Sequence, residues 1–389
     1  MAARGNEGLK SLDEVLGVTS EIASRVIAPL SEMTDREARW PEEAIRALQE
    51  AGLGGLVVPA AHGGLGHGLY GMALVCEEVG RYCASSAISF GMHCVGSAVI
   101  AAKPTSDQVT RYLEPICRGE HLTTLSLSEP GTGANFYLPR TQLLLAGDEY
   151  RVTGTKTFVT SGGRADSYVI SGVIDGEEGD LSCLILPADA AGVEWGEPWD
   201  GLGMRGNSAR TMRLSKVPVP SGNLLGREGD QIWYVFQVIA PYFLMAMAGT
   251  YLGVATAALE EARDHLTSRR HEHTGAILAQ QPVLQHRYGS LWATLERTRA
   301  LVHSVARAAD AGDPTALPGV ISAKAEVADA AVHVVNEALT LVGGIGYRES
   351  SSMGRHLRDV RAAHVMSPTT DMLRVWTGRA LLGQPLLSD

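Results

Sequence analysis

Two long stretches of helical periodicity enclose a block of β-character from about residue 122 to 223, and this order constrains the fold more than any other feature. Apolar residues recur at helical spacing from Ser11 to about Ile116, as in Val15, Val18, Ile22 and Val26, then Ile45, Leu48 and Leu53. The stretch VVPAAHGGLGHG at 57–68 interrupts them, because its glycines and proline break a helix and mark a loop. Past Leu122 the pattern becomes short runs separated by Gly, Asp and Pro: TTLSLS, YRVTGTKTFVT, SYVISGVI, LSCLILP and TMRLSKVPVP. Helical patterns return at 238–268 and 277–310, and Val327, Ala331, Val334, Ala338 and Val342 stripe a further helix. An uninterrupted β-block between helical segments is neither a doubly wound sheet nor a β/α barrel.

With 389 residues, 45% of them hydrophobic, the chain can bury a sizeable core divided into two or three units. Its net charge of −10 argues against a nucleic-acid partner, which needs a concentrated basic stripe. Cys76, Cys83, Cys94, Cys117 and Cys183 are odd in number and form no C-x-x-C pair, so neither a disulfide framework nor a thiolate metal site is expected. The opening MAARGNEGLKSLDE carries acids and no apolar h-region, and the sequence shows no run of about 18 apolar residues. These features lead to the expectation of a cytoplasmic protein that holds no metal and meets no membrane.

The segment Leu125–Asn135, LSLSEPGTGAN, places a proline and two glycines, Gly131 and Gly133, at the end of a strand. Taken alone it is a tight turn, whose successive N–H groups can face an anion or the polar edge of a heterocycle. Three further segments stand out: KTFVTS at 156–161, GLGMRGNS at 201–208 leading through KVPVP to NLLG at 223–226, and GGIGY at 343–347 after a helix. Together the four segments resemble, in order and separation, the signatures of the acyl-CoA dehydrogenase family, and the likeness runs over nearly the whole chain.

The resemblance implies an α+β fold: an N-terminal helical domain (1–120), a central β-barrel or sandwich domain (121–230) and a C-terminal four-helix bundle (231–389). It also implies bound FAD. Leu127 and Ser128 then fall where the family contacts the pyrimidine edge of the flavin, with Gly133 in the same loop. Phe158 replaces the usual Trp beside the flavin, and the hydroxyl of Thr160 approaches its N5. Gly343, Gly344 and Gly346 correspond to a loop meeting the ADP half of FAD, often from a neighbouring subunit, which implies a homotetramer or homodimer. Arg269 or Arg270, and Gln280 or Gln281, occupy the places of a pyrophosphate-binding arginine and a glutamine, although the usual R-x-x-F-G is lost. Thr369 and Asp371 match the threonine and acid of the turn before the last helix.

In that turn the family keeps the glutamate that takes a proton from Cα while hydride leaves Cβ, and here the position is Ser367. The alternative site, on the first helix of the bundle, is Phe243. Both are empty of a carboxylate, and an unactivated serine hydroxyl stays protonated at neutral pH. The D-x-x-R of that helix reads Pro241 and Leu244, and the serine of the E-P-G loop is Ala134. Glu129, Asp359, Asp371, His271, His273 and His364 are the remaining candidate bases. Three functions follow: oxidation of an acyl thioester, on CoA or an acyl carrier protein, through a relocated base; a flavin monooxygenase or oxidase, which needs no Cα base; or a silent FAD-binding subunit. The electron acceptor would be an electron-transfer flavoprotein or O2.

Overall fold

The computed structural model describes residues 11–174 and 180–387. The first ten residues, on which the expectation about the opening segment mainly rests, lie outside them. The N-terminal part is helical throughout: α1 (Leu12–Ile22), α2 (Ala28–Arg36), α3 (Glu42–Glu50), α4 (Leu69–Gly80), α5 (Ala84–Ala102), α6 (Ser106–Gln108) and α7 (Glu114–Cys117). Helix α1 starts on a capping box, Ser11 accepting from the Glu14 N–H while the Glu14 carboxylate accepts from the Ser11 N–H. The loop read at 57–68 separates α3 from α4. Gly68 leaves the first amides of α4 uncapped from within the loop, and Asp310 supplies the cap, accepting from Leu69 N at 2.7 Å and Tyr70 N at 2.9 Å. A carboxylate at the end of a distant helix thereby ties the N-terminal helices to the C-terminal ones.

Eight strands follow: β1 (Thr123–Ser126), β2 (Gln142–Ala146), β3 (Glu149–Val159), β4 (Ser167–Ile174), β5 (Leu181–Pro187), β6 (Val193–Trp195), β7 (Arg210–Pro220) and β8 (Leu224–Leu225). They form one mixed network in the order β6-β7-β3-β2-β4-β5-β8, with β1 pairing in parallel with β4. The register of β3 against β7 shifts between Lys156 and Val159, so the bulge falls on the KTFVTS segment. Bulges re-aim side chains. Here Phe158 takes φ +54° and is left 67% exposed.

The C-terminal part holds α8 (Gln231–Tyr234), α9 (Ala240–Ser268), α10 (Pro282–Asp310), α11 (Leu317–Val342), α12 (Ser352–Val360), α13 (Ala362–Val365) and α14 (Thr370–Leu381). Helix α9 packs on α4, α5, α10 and α11 and forms the centre of the molecule. It approaches α4 so closely that a Cβ at Gly249 or Gly253 would lie 2.2 Å from the carbonyl oxygens of Ala73 and Glu77. Residues 84–102 and a window within 231–268 are long and apolar enough to cross a membrane, a pattern absent from the sequence expectation. They are core helices: α5 is buried over Ala84–Ile100, and most of the second window is buried as well.

Candidate active site

The loop after β1 is built on a buried ion pair. Glu129 accepts from Lys156 Nζ at 2.6 Å, Thr141 Oγ1 at 2.6 Å, Arg140 N at 2.7 Å and Thr141 N at 3.2 Å. Burial pushes its carboxyl up, but Lys156 and these donors together hold it below the usual carboxylate range. Lys156, fully buried, also donates to Ser171 O at 2.6 Å and Leu127 O at 3.4 Å. Thr157 N donates to Ser128 O at 2.8 Å, so β3 grips the loop at both residues read as flavin contacts.

Above this base lies a cavity of about 600 Å³, within the usual size of a cofactor or substrate pocket. It brings together Leu127, Ser128, Phe158, Thr160, Phe243 and Ser367 of the residues singled out from the sequence. Gly133 stands beside it, its carbonyl accepting from Ser367 Oγ at 3.4 Å. Its φ of +52° and the open space where a Cβ would stand suit a loop that meets a ligand through its backbone.

The remaining candidates lie apart from the cavity. Arg269 and Arg270 follow α9 on the surface, where Arg270 donates to Gly275 O at 3.2 Å. Gln280 Oε1 accepts from Ile277 N, and Gln281 is the N-cap residue of α10. Gly343, Gly344 and Gly346 form the turn after α11, where a Cβ on either of the first two would meet open space. Thr369 caps α14, accepting from Met372 N at 3.5 Å, and Asp371 is exposed in its first turn.

None of the alternative bases lines the cavity among the described residues. Glu129 is committed to Lys156, and His364 shares Asp329 with Arg374. His271 and His273 lie against each other on the loop after α9, with ring centroids 5.4 Å apart. Burial pushes the Asp359 carboxyl up to about 6, but its Oδ1 accepts from Met204 N at 2.7 Å beneath the Gly201–Met204 loop. Among the described residues, the only charged side chains in the lining are Arg358 and Arg361. Arg358 is neutralised by Asp35 at 2.8 Å, and Arg361 is exposed.

Sequence reading missed several walls. Trp199 meets Phe158 edge-on at 6.2 Å and donates from its indole to Gly203 O at 3.1 Å. Ser126 and Met92 add a hydroxyl and a thioether from β1 and α5. Ser126 sits in a strand that reads as core, and nothing in a single sequence brings α5, β1 and α12 to one cavity.

The lining fits a flavin in its donor set. Ser126 Oγ is buried with no hydrogen-bond partner among the described residues, and Ser128 and Thr160 bring two further hydroxyl-bearing side chains to the same lining. Buried polar groups ordinarily have partners, so these hydroxyls beside an exposed aromatic suit the polar edge and face of a heterocycle.

A helical N-terminal part, a mixed sheet and a helical bundle around a hydroxyl-rimmed apolar cavity define a flavoprotein-type oxidoreductase scaffold. Residues 12–120, 124–217 and 233–382 match the N-terminal, middle and C-terminal domains of acyl-CoA dehydrogenase. The chain belongs to the acyl-CoA dehydrogenase family, whose members are flavoproteins. It is 30% identical to a cyclohex-1-ene-1-carbonyl-CoA dehydrogenase of Geobacter metallireducens, over 94% of this chain and 97% of that one. It is also similar to the solved butyryl-CoA dehydrogenase of Megasphaera elsdenii, with a TM-score of 0.90, 26% identity and coverage of 96% and 99%. A structure described as the FAD complex of PigA shares the fold, with a TM-score of 0.87, 18% identity and coverage of 96% and 98%.

Proposed function

We propose that the protein is an FAD-dependent oxidoreductase that oxidises an acyl thioester, carried on CoA or an acyl carrier protein, with an atypical or relocated base that takes the Cα proton, since no carboxylate lines its pocket among the described residues. The observation that carries this reading is the lining itself: flavin-motif residues on one side, and no Asp, Glu, His or Lys on any side among the described residues. Bound FAD supplies a hydride acceptor for a C–H bond near the thioester carbonyl. Ser126, Ser128 and Thr160 would hold its polar edge and Phe158 would flank its ring. Phe243, Met92 and Ile239 supply apolar wall for an acyl group. The cyclohex-1-ene-1-carbonyl-CoA dehydrogenase and the butyryl-CoA dehydrogenase named above act on CoA esters, which supports the thioester. An electron-transfer flavoprotein or O2 would take the electrons. The exposed Val283, Trp292, Ile345 and Tyr347 on the C-terminal part support a homodimer or homotetramer. A cytoplasmic location fits this reading.

The protein reconstituted with FAD is expected to be yellow, and an absorbance spectrum without flavin bands would overturn the cofactor assignment. Anaerobic mixing with butyryl-CoA, cyclohex-1-ene-1-carbonyl-CoA and other acyl thioesters then tests the reaction. Slow bleaching, about 10²–10⁴ below what a positioned base provides, with a desaturated product, is the expected result.

A second reading, a monooxygenase or oxidase on this scaffold, is favoured by the same base-free lining. Oxygen found in the product after admission of air would select it. A flavin that reacts with neither thioesters nor air would overturn both readings and leave a silent FAD-binding subunit.

A further inference from the structure

We propose that Lys324 is a positioning residue for the pocket: its ammonium fixes the turn that carries Ser367 by holding the carbonyl groups on either side of it. Lys324 lies on α11 and is fully buried. Its Nζ donates to Met366 O and to Pro368 O, both at 2.9 Å, and to no carboxylate. Buried cations are normally paired with anions. This one is solvated instead by the backbone of one short turn.

The arrangement determines what the turn shows to the cavity, which Met366, Ser367 and Pro368 all line. In a trans peptide the C=O and N–H point in opposite directions. With the Met366 carbonyl turned into the protein toward Lys324, the Ser367 N–H of the same amide is turned away from it. A cation on the carbonyl also polarises that amide, which strengthens the N–H as a donor. Without the ammonium, two carbonyl oxygens would be buried without partners or would swing toward the cavity, where they would repel the oxygen of a bound thioester.

The elements packed around the turn carry their own titratable groups, and none pairs with Lys324. Tyr251 of α9 donates to Met366 Sδ at 3.4 Å, and burial holds its phenol far above the usual range. Asp329 of α11 is taken by His364 of α13 and Arg374 of α14, and Asp371 is exposed at the start of α14. Asp359 of α12 accepts from Met204 N. Burial alone pulls the Lys324 ammonium down to about 8. The unfolded chain, with a lysine near its ordinary value of about 10.4, therefore binds more protons between these limits. The lysine's contribution to stability thus rises with pH through this window while its charge on the turn is lost. A role in mere stability and a role in positioning move in opposite directions.

The proposal rests on reading the Ser367 turn as a pocket wall, and the experiment separates the two. Wild type, Lys324→Met and Lys324→Arg are loaded with FAD and compared by visible circular dichroism of the flavin from pH 6.5 to 9.5, and by hydrogen exchange of the segment 362–371. Wild type is expected to show a spectral transition centred near pH 8. Lys324→Met should lack it and exchange roughly tenfold faster or more in this segment alone, the scale of losing hydrogen bonds to a charged donor. Lys324→Arg, charged at every pH tested, should also lack the transition. The same transition in Lys324→Met, or wild-type exchange in that variant, would overturn the positioning role. Failure of all three proteins to bind FAD would overturn the functional reading, while the exchange comparison would still decide the role of Lys324.

Discussion

Ser367→Glu is expected to raise the rate of anaerobic flavin reduction by an acyl thioester about 10²–10⁴-fold, the usual contribution of a positioned general base. The side chain of Ser367 is half-buried, lines the cavity and reaches toward Gly133, so a longer side chain there enters the same space. Desolvation by the apolar part of the wall will push the new carboxyl upward, while Arg358 and Arg361 in the same lining oppose that shift and favour the ionised form a base needs. Lys324 is present in both proteins, so the backbone that carries the new group stays fixed. Single-turnover stopped-flow with one acyl-CoA series measures the effect. A wild-type protein that already reduces its flavin as fast as the variant would show that a base outside the described lining acts on the substrate.

Lys156→Met is expected to cost about 3–5 kcal/mol of stability, the usual penalty for breaking one side of a buried ion pair, and to lose FAD with it. Lys156 and Glu129 have side chains 0% and 4% exposed, and Glu129 organises the backbone of Arg140 and Thr141 as well. Removing the lysine strands a buried carboxylate that must take up a proton. In the wild type the sign is opposite: the Glu129 carboxyl is held below its ordinary value, so its contribution is fully present above about pH 4.3 and fades only as pH falls through that lower value. The double variant Lys156→Met with Glu129→Gln should recover much of the loss, because no charge is left unpaired. Urea unfolding of the single and double variants decides this. Equal destabilisation in both would show that the lysine acts through packing and not through the pair.

The order of helices and strands was legible because burial follows period, and long buried segments such as α9, α11 and β4 keep theirs. Strand β2 was missed for the converse reason: its residues QLLLA have three exposed members and show no alternation. The long helix expected from 277 begins at Pro282, since Arg270 and Ile277 bridge across a loop that local apolar spacing conceals. At the site, residues within a motif were recoverable because a glycine or a charged partner marks them, as Gly133 and Lys156 do. Trp199, Arg361 and Met92 reach the cavity only through the packing of separate elements. Arg269, Gln281 and Gly343 lie away from the cavity within this chain, and only in the proposed homo-oligomer would a second copy bring such residues to a shared face.

The cavity has a consequence for the order in which its occupants arrive. Leu127, Ser128 and the Ser367 turn line the same cavity, and Ser367 donates to Gly133 of the loop after β1, so a ligand that orders the loop is expected to order the turn as well. Linkage makes such coupling reciprocal: the factor by which one occupant tightens the second is the factor by which the second tightens the first. A thioester that binds more strongly to the loaded protein must therefore slow the escape of the cofactor or hasten its capture, and prolonged starvation for substrate would be felt first as a drift toward the empty protein.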